Sequence, residues 1–202
     1  MSATRFYCYT RFERINHWLQ AALVITLLLT GFELHGTYAL FGYKLAHELH
    51  IWCGLAWFVL FCFGVFWLIT TGEWKQYTPT AKKLLAVIRH YMWGIFQGEP
   101  HPVRKQPDAK HNPLQRLAYL GIVSALLPFQ MLTGFLYYFY NDWDALGITM
   151  QLGTAAALHT VGAFLVLQFL IVHVYMTTTG HSVFAHVKAM CTGWEEGEKE
   201  HC

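Results

Sequence analysis

The chain has 202 residues, of which 55% are hydrophobic, 17% aromatic and only 13% charged. That balance excludes a water-soluble globular domain of ordinary composition and places the chain in a lipid bilayer. The formal net charge of +2 decides little and suggests no nucleic-acid partner; where the charges fall decides more.

Residues 1–14 are polar and lead into the first apolar run without a small-residue cleavage site, so a retained first span is expected. Four runs are long enough to cross about 30 Å of hydrocarbon: residues 15–34, 50–69, 114–139 and 155–177. They predict an all-α membrane protein, a four-transmembrane-helix bundle forming a single membrane domain over residues 1–202. Arg5, Arg11 and Arg14 accompany the start of the first run, and Lys75, Lys82, Lys83, Arg89, Arg104, Lys105, Lys110 and Arg116 crowd the second connection and its exit. By contrast, Lys44 is the one cation of the first connection, and the third carries Asp142 and Asp144 with no cation. The positive-inside rule then puts both termini and the long connection in the cytoplasm.

Within that long connection, residues 81–96 set Leu84, Leu85, Val87, Ile88, Trp93 and Ile95 among Lys82, Lys83 and Arg89. The pattern predicts an amphipathic helix in the cytoplasmic interface between spans two and three; the alternative is a solvated loop. Pro100, Pro102 and Pro107 mark irregular chain before the third span. A short helix is expected around residues 183–190, followed by an acidic, polar end.

The five cysteines form no Cys-x-x-Cys pair and no Cys-x-x-Cys-His motif, so any haem is held without thioether bonds. The twelve histidines carry more information. His159 and His173 stand fourteen residues apart in the fourth run. On a helix that spacing turns about 1400°, about 40° short of four full turns, and rises about 21 Å. Both imidazoles therefore share one face, near opposite ends of a span. An ionisable group at bilayer depth needs a partner or a task.

With the topology above, His17 shares the cytoplasmic depth with His173, and His50 shares the outer depth with His159. Each pair can clamp one haem iron from both sides, an arrangement that leaves no open axial position and favours electron transfer. A structural zinc site asks for four ligands at one point, which two separated pairs do not provide. Four residues after each histidine stand Ala21, Gly54, Ala163 and Thr177, all small. Gly31, Gly64, Gly134 and Gly162 offer further clearance for a porphyrin, or close helix packing. His47, three residues before His50, is the competing ligand in the second span. His90, His101, His111, His181, His186 and His201 lie in polar segments, where a solvated or headgroup-facing side chain is expected. Other readings of the paired histidines are hydrogen bonding to neighbouring helices, a proton-relaying transporter without pigment, a stand-alone transmembrane haem reductase, and a cofactor-free anchor.

Several stretches carry a family resemblance: Arg14-Ile15-Asn16-His17-Trp18, His50 with Gly54, His111-Asn112-Pro113-Leu114, Leu132-Thr133-Gly134-Phe135, and His159 through His173-Val174-Tyr175-Met176. Together they resemble the bacterial di-haem cytochrome b subunits that anchor nickel-iron hydrogenases, membrane-bound formate dehydrogenases and thiosulfate reductases. The similarity runs from Arg14 to about Trp194, and its most specific part is the ordered set of four histidines. It implies a multi-pass subunit of the bacterial inner membrane with two haems b, embedded in lipid. Such a subunit passes electrons between an outer-face iron-sulfur or multihaem subunit and menaquinone or ubiquinone at the cytoplasmic side. Asn112 matches the asparagine that lies near the quinone head in that family; its amide would donate to a quinone carbonyl while His111 or a water relays the proton. Asn112 also suits a helix cap before Pro113. Arg14 and Arg116 are candidates to pair with haem propionates, although positive-inside placement accounts for them equally.

Overall fold

The computed structural model describes residues 5–103, 110–180 and 182–196. Arg104, Lys105, Pro107, His181, His201 and Cys202, with the rest of the acidic end, lie outside those residues. The elements are β1 (Arg5–Tyr7), α1 (Arg11–Leu34), α2 (Tyr43–Thr71), α3 (Leu84–Met92), α4 (Pro113–Gly121), α5 (Leu127–Tyr138), α6 (Trp143–Leu146), α7 (Leu152–Thr177), α8 (Ala185–Thr192) and β2 (Trp194–Glu196). A π-helical segment, Ile122–Leu126, joins α4 to α5. Pro128 follows it, with no N–H to offer the carbonyl of Ser124, so the wide turn lies where the ordinary helical ladder is interrupted.

Four helices are long and apolar enough to cross a membrane: Arg11–Leu34, Tyr43–Thr71, Pro113–Tyr138 and Leu152–Thr177. The number is as expected, but α2 begins seven residues before the apolar run at His50. Its first two turns include Lys44, His47 and Glu48, which hydropathy rejects. The Glu33 carboxylate accepts hydrogen bonds from the backbone N–H groups of Leu40, Phe41 and Gly42 at 2.8 to 3.0 Å, tying down the turn that leads into α2. The interfacial helix is also shorter than expected: α3 starts at Leu84, after Lys83 in a left-handed conformation (φ 59°), and gives way to a 3-10 turn at Gly94–Gln97.

The chain divides into two compact units. One comprises residues 15–65 and 124–173. It departs from the ordinary soluble pattern at its surface: Trp52, Phe63, Leu132 and Val161 are more than half exposed, while the polar Thr30, Gln130 and Thr133 are buried alongside Trp57, Met131 and Val166. A broad apolar exterior is the arrangement lipid demands. Phe32 of α1 meets Phe164 of α7, and Phe58 of α2 meets Phe135 of α5, with ring centroids 5.2 and 5.0 Å apart.

The other unit comprises residues 1–14, 66–123 and 174–202. In it β1 and β2 form an antiparallel ribbon, Arg5 opposite Glu196 and Tyr7 opposite Trp194, so the two ends of the described chain lie together. α3 buries Val87 and His90 and leaves Leu85 and Met92 exposed beside Arg89, with Trp93 and Phe96 exposed just after it, the composition of an interfacial segment. His90 therefore departs from the solvated side chain expected of it. It is buried, its ring against Tyr91 and His101.

Candidate functional site

In the apolar unit the four histidines meet two by two. The ring centroids of His17 and His173 lie 6.0 Å apart with planes at 49°, and those of His50 and His159 lie 6.2 Å apart with planes at 85°. Imidazoles bound at about 2 Å on opposite sides of one metal, each ring centre about 1 Å further out, hold those centres about 6 Å apart. Both pairs meet that spacing. The Nδ1 of His17 is buried without a hydrogen-bond partner among the described residues, an orphan that a bound group would relieve. Among the described residues no three His, Cys, Asp or Glu side chains gather at one point, so the donors come in twos. His47 stacks on Tyr43, with centroids 6.1 Å apart, and it is His50 that faces His159.

The glycines settle where close approach occurs. A Cβ on Gly31 would stand 3.1 Å from Cε1 of His50, and a Cβ on Gly134 would stand 3.1 Å from Cε1 of His159. Gly31 and Gly134 thus give these two rings their room, while a Cβ on Gly54 would meet Leu27 at 3.9 Å. Gly64 faces Asn16, and Gly162 makes way for the Gln130 side chain.

Three polar side chains on neighbouring helices reach the rings of the His50/His159 pair, and hydropathy had passed over all of them. Thr30 Oγ1 lies 2.9 Å from Nδ1 of His50, and Thr133 Oγ1 lies 3.1 Å from Nδ1 of His159. The Gln130 amide nitrogen is 3.3 Å from both ring nitrogens of His159. A signal for the threonines was present: Leu-Thr-Gly-Phe occurs twice, at residues 29–32 and 132–135.

In the other unit Asn112 is buried and caps α4. Its Oδ1 accepts from the Gln115 N–H at 2.9 Å, the Gln115 Oε1 accepts from the Asn112 N–H at 3.0 Å, and Pro113 occupies the first turn. This is a reciprocal capping box. The Asn112 amide also donates to the Tyr91 hydroxyl at 3.1 Å, and His101 Nε2 lies 3.2 Å from the same oxygen. Burial pushes the Tyr91 phenol up while the bond from Asn112 works against that shift. The His111 ring clusters with Tyr77 and Tyr119, its centroid 5.3 and 5.0 Å from theirs. Burial, with the Glu13 and Glu73 charges, raises Tyr77 to about 12.

Lys110, buried, reaches Glu13 at 2.8 Å and Glu73 at 3.1 Å. Burial opposes its charge, but the two carboxylates outweigh it and hold its pKa above the ordinary value. Arg14 donates through Nη1 to the Cys191 carbonyl at 2.6 Å, and Arg116 through Nε to the His111 carbonyl at 3.1 Å. Each guanidinium keeps further donors beyond the bond that places it. His186 pairs with the buried Glu195 at 3.2 Å.

Over most of its length the chain is similar to a protein of Escherichia coli (strain K12) named "Putative cytochrome YdhU": 31% identity over 202 aligned positions, covering 94% of this chain and 74% of that protein. No solved structure shows a significant match. Residues 8–193 match the family described as prokaryotic cytochrome b561, a span that takes in all four helices and all four paired histidines. The chain belongs to the prokaryotic cytochrome b561 family and is a multi-pass membrane haem protein of the electron-transfer kind.

Proposed function

We propose that the chain is the membrane-anchoring, di-haem b subunit of a respiratory oxidoreductase complex of the inner membrane. It carries electrons between an outer-face iron-sulfur or multihaem partner and menaquinone or ubiquinone at the cytoplasmic side. His17 and His173 would hold one haem, and His50 and His159 the other. Held by these imidazoles, each haem would supply reversible one-electron transfer. The observation that carries the reading is the pair of imidazole couples, each at the spacing one shared metal requires, with His159 and His173 fourteen residues apart on one helix.

The quinone assignment to Asn112 rests on the family resemblance and on the chemistry left to its side chain. The Oδ1 serves the cap and one amide hydrogen serves Tyr91, so the second amide hydrogen is the donor available to a quinone carbonyl. His101 and Tyr91 form a hydrogen-bonded path along which a proton can follow the electrons. Arg14 and Arg116 are assigned to haem propionates on charge alone.

The test is His173→Ala in detergent-purified protein. Pyridine haemochrome should fall from two haems per chain to one, with quinol oxidation lost. Two haems in the variant would refute the pairing.

A further inference from the structure

The sequence Leu-Thr-Gly-Phe appears once in α1 and once in α5, and each copy meets one imidazole of the His50/His159 pair in the same way. In each copy the threonine hydroxyl already donates to its own helix: Thr30 to the Thr26 carbonyl at 2.8 Å, and Thr133 to the Phe129 carbonyl at 2.9 Å. A hydroxyl has one proton. With that proton committed, Oγ1 is left to accept, which reads the 2.9 and 3.1 Å contacts as Nδ1–H donations from His50 and His159; the Leu27 and Gln130 backbones also bond these rings, and in this tautomer the Gln130 amide, 3.3 Å from both His159 nitrogens, donates to Nε2. Both threonines are almost wholly buried, at 0% and 3% exposure, so no water competes for the bond.

The next residue completes the device. Gly31 and Gly134 each leave the histidine Cε1 3.1 Å from where a side chain would begin, so the ring is pinned at Nδ1 and pressed edge-on to bare backbone. The phenylalanine that follows reaches the opposite histidine's helix: Phe32 to Phe164 on α7, Phe135 to Phe58 on α2. The two copies are therefore a matched pair, one per imidazole, crossing over between the ligand helices. The other couple is built differently, since His17 Nδ1 is buried with no partner among the described residues.

We propose that Thr30 and Thr133 are positioning residues for the outer haem: by accepting Nδ1–H they hold His50 and His159 in the tautomer that presents Nε2 to the iron, and they tune that haem separately from the other. The inference rests on the di-haem reading. A ring donating at Nδ1 is more electron-rich at Nε2, which favours ferric iron, so loss of the acceptor raises the reduction potential. Outer-shell partners of ligating histidines typically matter by tenfold or more.

The experiment uses the purified full chain and reads haem content, an optical redox titration and the ferric electron paramagnetic resonance spectrum. The variants are Thr30→Val, Thr133→Val, the double variant and the two Thr→Ser controls, with His173→Ala identifying the outer-haem wave. Each valine variant should keep two haems and move the outer wave about tenfold toward the ferrous form, which for a one-electron couple is 59 mV. The other wave should stay in place, and serine should restore the original potential. The outer ferric signal should also shift in the valine variants, because rings held at 85° give a strongly anisotropic signal that changes once a ring is free to turn.

Valine variants with both haems and unchanged potentials would overturn the proposal and leave the threonines as packing. If valine expels the outer haem, serine decides: retention at the original potential supports the hydroxyl, and loss in serine too refutes it. Failure of the di-haem reading shows itself separately, as fewer than two haems in the unmodified chain.

Discussion

Replacing Lys110 with Met removes the one cation from a buried site and leaves Glu13 and Glu73 facing each other. At an effective dielectric of about 20, charges 2.8 and 3.1 Å apart attract by about 6 and about 5 kcal/mol. Desolvating three ions offsets most of that, and removing one partner of a buried pair costs about 3–5 kcal/mol. The Glu13 and Glu73 side chains retain 19% and 30% exposure, so solvent screens part of the loss and about 3 kcal/mol is the better figure. At about 2–4 °C per kcal/mol for a chain of this size, the melting temperature in mild detergent should fall by roughly 6–12 °C. Lys110→Met combined with Glu13→Gln and Glu73→Gln should recover most of it, since no unpaired charge then remains buried. The folded pKa of Lys110 lies above 10.5, so its contribution is complete below the unfolded value and is lost only as pH rises through the raised one. The gap between wild type and Lys110→Met should accordingly be flat across neutral pH. A single variant melting within about 2 °C of wild type, or a triple variant no better than the single, would refute this account.

Other substitutions test other parts of the molecule. Gly134→Ala places a methyl 3.1 Å from the His159 ring and should broaden or shift the outer-haem absorption band, with Gly31→Ala doing the same through His50; unaltered bands in both would show that the rings have slack. Asn112→Asp keeps the capping oxygen and loses the amide donor, so it should fold with two haems yet oxidise quinol several-fold more slowly. Asn112→Leu should also lose about 1 kcal/mol of helix capping; equal quinol kinetics in Asp and wild type would remove Asn112 from the quinone site. Tyr91→Phe deletes the link between Asn112 and His101 and should slow proton-coupled turnover without altering either haem spectrum.

The features legible in the sequence are those with a period. Apolar runs announce four spans, and a fourteen-residue spacing puts two histidines on one face of the last, so both couples followed from hydropathy and charge. What escaped has no local signature. Lys110 meets Glu13 across 97 residues, and each looks like an ordinary surface charge in its own neighbourhood. The first two turns of α2 are polar enough to pass for a loop, and their helicity depends on the chain turn held by Glu33. Thr30 and Thr133 are inconspicuous because threonine in an apolar helix satisfies its own backbone; Thr133 lay in a stretch that carried the family resemblance, and the repetition of that tetrapeptide at Thr30 marks the second. Asn112 was ambiguous between cap and quinone donor, and the geometry shows the cap to be real without using all of the amide.

The ribbon of β1 and β2 has a consequence for biogenesis. Arg5 precedes the first span in the chain, yet its partner, Glu196, follows the last, so the two can pair only after all four spans have been made. The clasp is thus a late, long-range closure of the kind that is slow to form. Until it shuts, the leading strand waits with an unpaired edge, a state in which quality control can tell an unfinished protein from a finished one.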